Sequence, residues 1–252
     1  MCAAALTFVF ASCDKKDKPT GGDDPEEQFT SIISVKDGSI ADWNNVPADY
    51  LFETVRPDGA SLMGLKSIKV YADYLYINLL VEYDENDITD LESVPFHVYL
   101  NTDNSDLTGG YKDQFTDANA DILLEGGIYG LEEGLAEYNP GVFKWWGEVG
   151  GEGWQWSDPE IEPDESNLWG AIVAEGALPI GSSQLVNGKV EIQLMRALIP
   201  TDDAPWNTTE FGIGFDIQQS WTSVGVLPLV DATEENPNGY AHKLQVKINP
   251  AK

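Results

Sequence analysis

Trp145, Trp146, Trp154 and Trp156 flank the glycine-rich run from Gly147 to Gly153. The pattern predicts a hairpin whose two short arms carry large aromatic planes. Such planes suit a pyranose, because the axial C–H groups of the sugar form an apolar, slightly positive face that packs on an electron-rich ring. Asp158, together with Glu148 and Gln155, would take the hydroxyls. Strand alternation puts Trp145 and Trp146 on opposite faces and Trp154 and Trp156 on the same face. The same rings also read as inter-sheet core and cross-strand pairs, and the sequence leaves both readings open.

A second group carries oxygen. Asn101-Thr102-Asp103-Asn104-Ser105-Asp106 places acceptors at alternating positions, and Asp113, Asp117, Asn119 and Asp121 follow in the next loop. A hard cation needs such ligands, so a structural calcium is expected on Asn101, Asp103, Asp106, Asp117 and Asp121. It is not an EF-hand, in which the sixth loop position is glycine and not Asp106. Asp and Asn also form turns by bonding their own backbone, which is the bland account of the same residues.

Catalytic signatures are lacking. The sequence has no GxSxG, no HExxH and no phosphate-binding loop. Among 43 Asp and Glu, pairs such as Glu132-Glu133 or Glu160 and Glu162 arise by chance and fix no separation in space. His97 and Met195 are the one evident haem-ligating pair, and both sit in alternating strands where packing explains them. A non-catalytic protein is expected.

The elements that must position these groups are strands. Leu75, Ile77, Leu79 and Val81 alternate with Tyr76, Asn78 and Glu82, which predicts a half-buried strand over Tyr74 to Tyr83 after another over Ile68 to Tyr71. Phe96-Val98-Leu100, Val190-Ile192-Leu194 and Phe211-Ile213-Phe215-Ile217 repeat the period. Further strands are expected at 121–125, 142–146, 153–156, 168–174 and 244–248, and a short helix over Leu131 to Tyr138. Many strands between Gly- and Pro-rich turns give an all-β fold, an antiparallel β-sandwich of jelly-roll or immunoglobulin-like type with a Trp-rich hairpin insertion. Trp43 is expected to plug the core. With 42% hydrophobic residues and no composition break, residues 32–252 form a single sandwich domain.

Both cysteines, Cys2 and Cys13, precede that domain. The apolar segment Ala3 to Ala11 is too short to span a membrane and reads as part of a signal peptide, residues 1–13. Phe10-Ala11-Ser12-Cys13 resembles a bacterial lipoprotein box, which implies lipid on Cys13. Residues 14–31 are polar, charged and broken by Pro and Gly, as a tether would be. Short acidic stretches in that place resemble the surface-export signals of Bacteroidetes lipoproteins. The expected location is therefore the cell envelope, lipid-anchored at the outer membrane and facing outward, with the periplasmic face as the alternative. A net charge of −29 opposes nucleic acid and anionic lipid as partners. The membrane is then met through the lipid alone.

The order of motifs has a relative. Val35-Lys36-Asp37-Gly38-Ser39-Ile40-Ala41-Asp42-Trp43, the hairpin IKVYADYLYINLLVEYDEN, the segment FHVYLNTDNSDLTGGY and GKVEIQLMRALIP before FGIGFDI together resemble carbohydrate-binding module family 9 and the wider DOMON-like sandwiches. The resemblance implies a sandwich that binds oligosaccharide or polysaccharide and carries structural calcium. It also implies a clamp of two tryptophans. Here Leu91 to Pro95 and Asn236 to Tyr240 stand in those places, so the clamp is missing and Tyr240 is its partial substitute. A surface adhesin or structural module with no sugar ligand is the alternative function.

Overall fold

Short apolar–polar alternation is realised as strands whose ladders are antiparallel, in a computed structural model that describes residues 31–35, 37–111, 119–157, 180–201, 205–230, 233–234, 237, 239 and 243–250. Cys13, Asp117, Asp158, Tyr240, almost all of the tether and the strand expected at 168–174 lie outside the described residues. The strands are β1 (Phe52–Val55), β2 (Leu65–Ala72), β3 (Tyr76–Tyr83), β4 (Ser93–Asn101), β5 (Ile122–Tyr129), β6 (Glu137–Tyr138) and β7 (Gly141–Lys144). There follow β8 (Gly181–Val186), β9 (Lys189–Met195), β10 (Glu210–Gln219), β11 (Thr222–Leu227) and β12 (Leu244–Lys247).

They form two sheets. One has five strands in the order β1-β2-β3-β9-β8. The other has seven, ordered β11-β10-β4-β5-β6, with β12 added to β10 and β7 to β5. The all-β sandwich is thus observed. Ile77, Leu79, Val81, Val190, Ile192 and Leu194 from one sheet meet Phe96, Val98, Leu100, Phe211, Ile213 and Phe215 from the other in one apolar interior. Phe96 stacks on Phe215 at 6.2 Å and meets Tyr138 edge-on at 5.6 Å.

Turns follow residue chemistry. Asp73 closes β2 into β3, its Oδ1 accepting the N–H groups of Leu75 at 2.9 Å and Tyr76 at 2.8 Å. Asn187 and Gly188, at φ 52° and 73°, make the two-residue hairpin between β8 and β9. The expected helix at 131–138 is not formed. Gly130 and Gly134 are both left-handed and confine a 3-10 turn to Leu131–Glu133, after which Glu137–Tyr138 pair as β6. Among the described residues no helix is long and apolar enough to cross a membrane.

Both sheets are covered on their outer faces as well, which the alternation did not predict. Over the five-stranded sheet lie Ile33, Trp43 and Val46, against Tyr71 and Leu80. Trp43 is therefore a plug, but of this outer layer and not of the inter-sheet interior. Under it β3 is buried on both faces, Asn78 included, and is not the half-buried strand its pattern suggests.

Candidate functional site

The outer face of the seven-stranded sheet carries the tryptophan hairpin. Tyr99 of β4 stacks on Tyr111 at 4.9 Å with planes 12° apart, and Leu123 of β5 and Val226 of β11 complete an apolar floor. Trp156 closes on both tyrosines, 6.2 Å from Tyr99 and 5.7 Å from Tyr111. It also bridges antiparallel to Trp145, whose ring meets it edge-on at 5.1 Å. The N–H of Trp146 donates to the carbonyl of Gln155 at 3.0 Å, and that of Ser157 to Lys144 at 2.8 Å, so the two arms meet in a single antiparallel bridge, and the strand expected at 153–156 is not formed.

Its four rings have different surroundings. Trp156 is 7% exposed and belongs to the floor, while Trp154 is 57% exposed and Trp146 69%. Trp145 is half-buried, its Nε1 donating to the carbonyl of Glu148 at 3.0 Å. Three glycines make room for that ring: a Cβ on Gly110, Gly147 or Gly151 would lie 2.3, 2.5 or 3.2 Å from it. Cross-strand partners share a face, so Trp145 and Trp156 point to the floor and Trp146, paired with Gln155, points away. Trp154 stays on the floor side, edge-on to Tyr111 at 6.3 Å and 6.5 Å from Trp156. The structure brings Trp145, Trp154 and Trp156 together and leaves Trp146 apart.

Beside this cluster is a cleft of about 220 Å³. Trp145, Lys144, Asp121, Thr108 and Thr201 line it, with Leu107 and Val149 at its margin. Asp121 is nearly buried, and desolvation, then the charge of Asp103, pushes its pKa up to about 7, against the lowering effect of the N–H of Thr102 at 2.8 Å. A carboxyl group of this kind can donate or accept at neutral pH.

The residues expected to hold calcium are engaged in the turn itself. Asn101 Oδ1 and Asp103 Oδ1 both accept the N–H of Ser105, at 3.1 and 3.0 Å, and Thr108 Oγ1 donates to both Asp103 oxygens. Asp106 pairs with Lys243 at 3.0 Å. Among the described residues no three His, Cys, Asp or Glu side chains gather as a metal-binding group.

Further along the same face lie two polar residues that sequence reasoning passed over, Asp216 and Glu125, and one that it weighed only as a haem ligand, His97. Asp216 of β10, His97 of β4 and Glu125 of β5 stand side by side in register. Asp216 accepts from Gln218 at 2.7 Å and Ser223 at 2.9 Å. His97 Nδ1 lies 3.8 Å from Asp216, but burial holds the imidazole pKa near 4, so at neutral pH this is no ion pair. Burial pushes Glu125 up to about 7. His97 Nε2, Glu125 Oε2 and Trp156 Nε1 are closed to solvent and have no hydrogen-bond partner among the described residues. The available signal was that His97, Tyr99 and Asn101 alternate with core residues without any of the charge a solvated face carries.

No protein-family model matches the chain, and no curated protein matches it.

Proposed function

We propose that this chain is a cell-envelope lipoprotein, held by lipid on Cys13, that binds a neutral oligosaccharide without catalysis by stacking it on Trp154 next to the cleft lined by Trp145. The observation that carries the reading is the exposure of Trp154. An indole 57% in water, braced edge-on by Tyr111 and backed by Trp156, offers a sugar a platform that loses little conformational freedom on binding. Asp121, Thr108 and Thr201 supply hydroxyl partners nearby. The all-β sandwich is the fold that the resemblance to carbohydrate-binding module family 9 implies, and the lipoprotein box accounts for exposure to glycans. The test is a glycan array with Trp154→Ala. Retention by the parent protein, lost in a variant that melts normally, is the expected result; no retention on any glycan overturns the reading.

One feature favours the second reading, a surface module that docks another protein. Leu107 is 83% exposed and Val149 58%, and both border the cleft. A sugar site has little use for exposed aliphatic side chains, whereas a protein interface buries them.

A further inference from the structure

Glu191 of β9 is wholly buried on the outer face of the five-stranded sheet, beneath the N-terminal layer. The register sets it between Leu80 of β3 and Gln184 of β8. One carboxylate oxygen, Oε1, accepts the indole N–H of Trp43 at 2.6 Å. The other, Oε2, has no partner among the described residues. Above it passes the turn from Asp37 to Asp42, where Gly38, left-handed at φ 78°, comes close enough that its Cβ would lie 3.8 Å from the Gln184 amide. Asp42 precedes Trp43 and uses only Oδ2, which accepts the N–H of Ser34 at 2.8 Å. Its Oδ1 is without a partner among the described residues, as is Oε1 of Gln184.

The layer between turn and sheet therefore holds three acceptor oxygens, each closed to solvent and each lacking a donor among the described residues. An unsatisfied buried acceptor is costly, and more so when it is charged. Asp42 and Asp37 both act on Glu191 with like charge, and no Lys or Arg among the described residues pairs with any of the three. Turning the Gln184 amide over would bring a neutral NH2 group to the two carboxylates and leave their charge uncompensated. Two carboxylates and an amide oxygen, with no nitrogen or sulfur ligand, suit a hard cation that accepts irregular oxygen geometry.

We propose that Glu191, Asp42 and Gln184 bind a divalent cation of the calcium class, which ties the N-terminal layer to the five-stranded sheet. The site is distinct from the loop at 101–121 and independent of sugar binding. Asp42 is half-buried and Asp37 exposed, so the ion has a route in from that side. The ion would take up the two lone carboxylate oxygens while Trp43 keeps its bond to Oε1.

Trp43 makes the site observable. Its indole is hydrogen-bonded to the proposed ligand, within range to sensitise a lanthanide bound there. Terbium added to the full-length protein and excited through tryptophan should give saturable emission that calcium displaces. Glu191→Gln, which preserves an acceptor for Trp43, and Asp42→Asn should each weaken binding at least tenfold. Trp43→Phe should remove most of the emission while a calcium-dependent rise in melting temperature persists. Should Trp43→Phe fail to fold, the other two variants carry the test. The proposal is overturned if no emission appears, if emission survives Glu191→Gln and Asp42→Asn but falls with Asp121→Asn, or if the protein responds to pH and not to calcium. The last outcome would mean that a proton, and not a metal, satisfies Glu191.

Discussion

Trp145 and Trp156 meet across an antiparallel bridge with ring centroids 5.1 Å apart and planes at 80°. The contact divides the hairpin by role. It places one ring in the floor and one among the glycines of the turn, and thereby holds the backbone that presents Trp154. A rigid, packed base under an exposed ring is what a binding platform requires, because ordering the platform then costs nothing at the moment of binding.

Trp156→Ala should destabilise the protein by about 3–5 kcal/mol, the range for truncating a large buried aromatic. Trp154→Ala and Trp146→Ala, at positions more than half exposed, should each cost less than about 1 kcal/mol. Urea melts of the three variants check this. Equal losses for Trp154 and Trp156 would mean that Trp154 is core and not platform.

Gly110→Ala tests the seat of Trp145. The added methyl would sit 2.3 Å from the indole, so the ring or the 109–110 backbone must move. Overpacking of this kind costs about 1–3 kcal/mol. Tryptophan fluorescence should report a more solvated indole, and a variant with unchanged stability and spectrum would contradict the close approach.

Much of the sandwich is readable where one strand face is apolar, as in Phe96-Val98-Leu100 and Phe211 to Ile217. Other parts hide behind atypical signals. β8 reads GSSQLV, which has no strong alternation, although the Asn187-Gly188 that follows it is a good hairpin signal. The β10–β11 turn places Ser220 and Trp221 at φ 49° and 63°, conformations usually left to Asn and Gly, so nothing local announces it. At the candidate site the sequence supplies the tryptophans and the face each shares. It does not supply their depth, since that depends on Tyr99 and Tyr111, which are 43 or more positions away from Trp154 and reach the hairpin only through tertiary packing. The row of Asp216, His97 and Glu125 is equally a product of strand order.

His97 should make the protein sensitive to acid. Its pKa is near 4 in the folded state because burial disfavours the imidazolium, whereas the unfolded chain protonates near 6.5. Below 6.5 the unfolded state binds the extra proton, so stability contributed by a neutral His97 is lost progressively as pH falls from about 6.5 to about 4. NMR titration of the imidazole measures this directly. A midpoint near 6.5 would mean that the ring is solvated.

Glu125 should act in the opposite direction. Burial raises its pKa to about 7 from an ordinary 4.5, and Glu191 and Asp121 are raised to about 7 as well. Between about pH 4.5 and 7 the folded state keeps a proton that the unfolded state releases, so stability falls as pH rises through that interval and levels off above it. Glu125→Gln replaces the ionisable oxygen by a neutral amide of similar shape. It should raise the melting temperature at pH 8 and leave it nearly unchanged at pH 4. The comparison is made with chelator present, so that a cation at Glu191 does not offset part of the effect. Because the Glu191 and Asp121 contributions remain in the variant, its profile should keep a shallower alkaline decline rather than become flat. A variant less stable than the parent at pH 8 would show that the Glu125 carboxylate is ionised and favourably paired, and that burial does not dominate its environment.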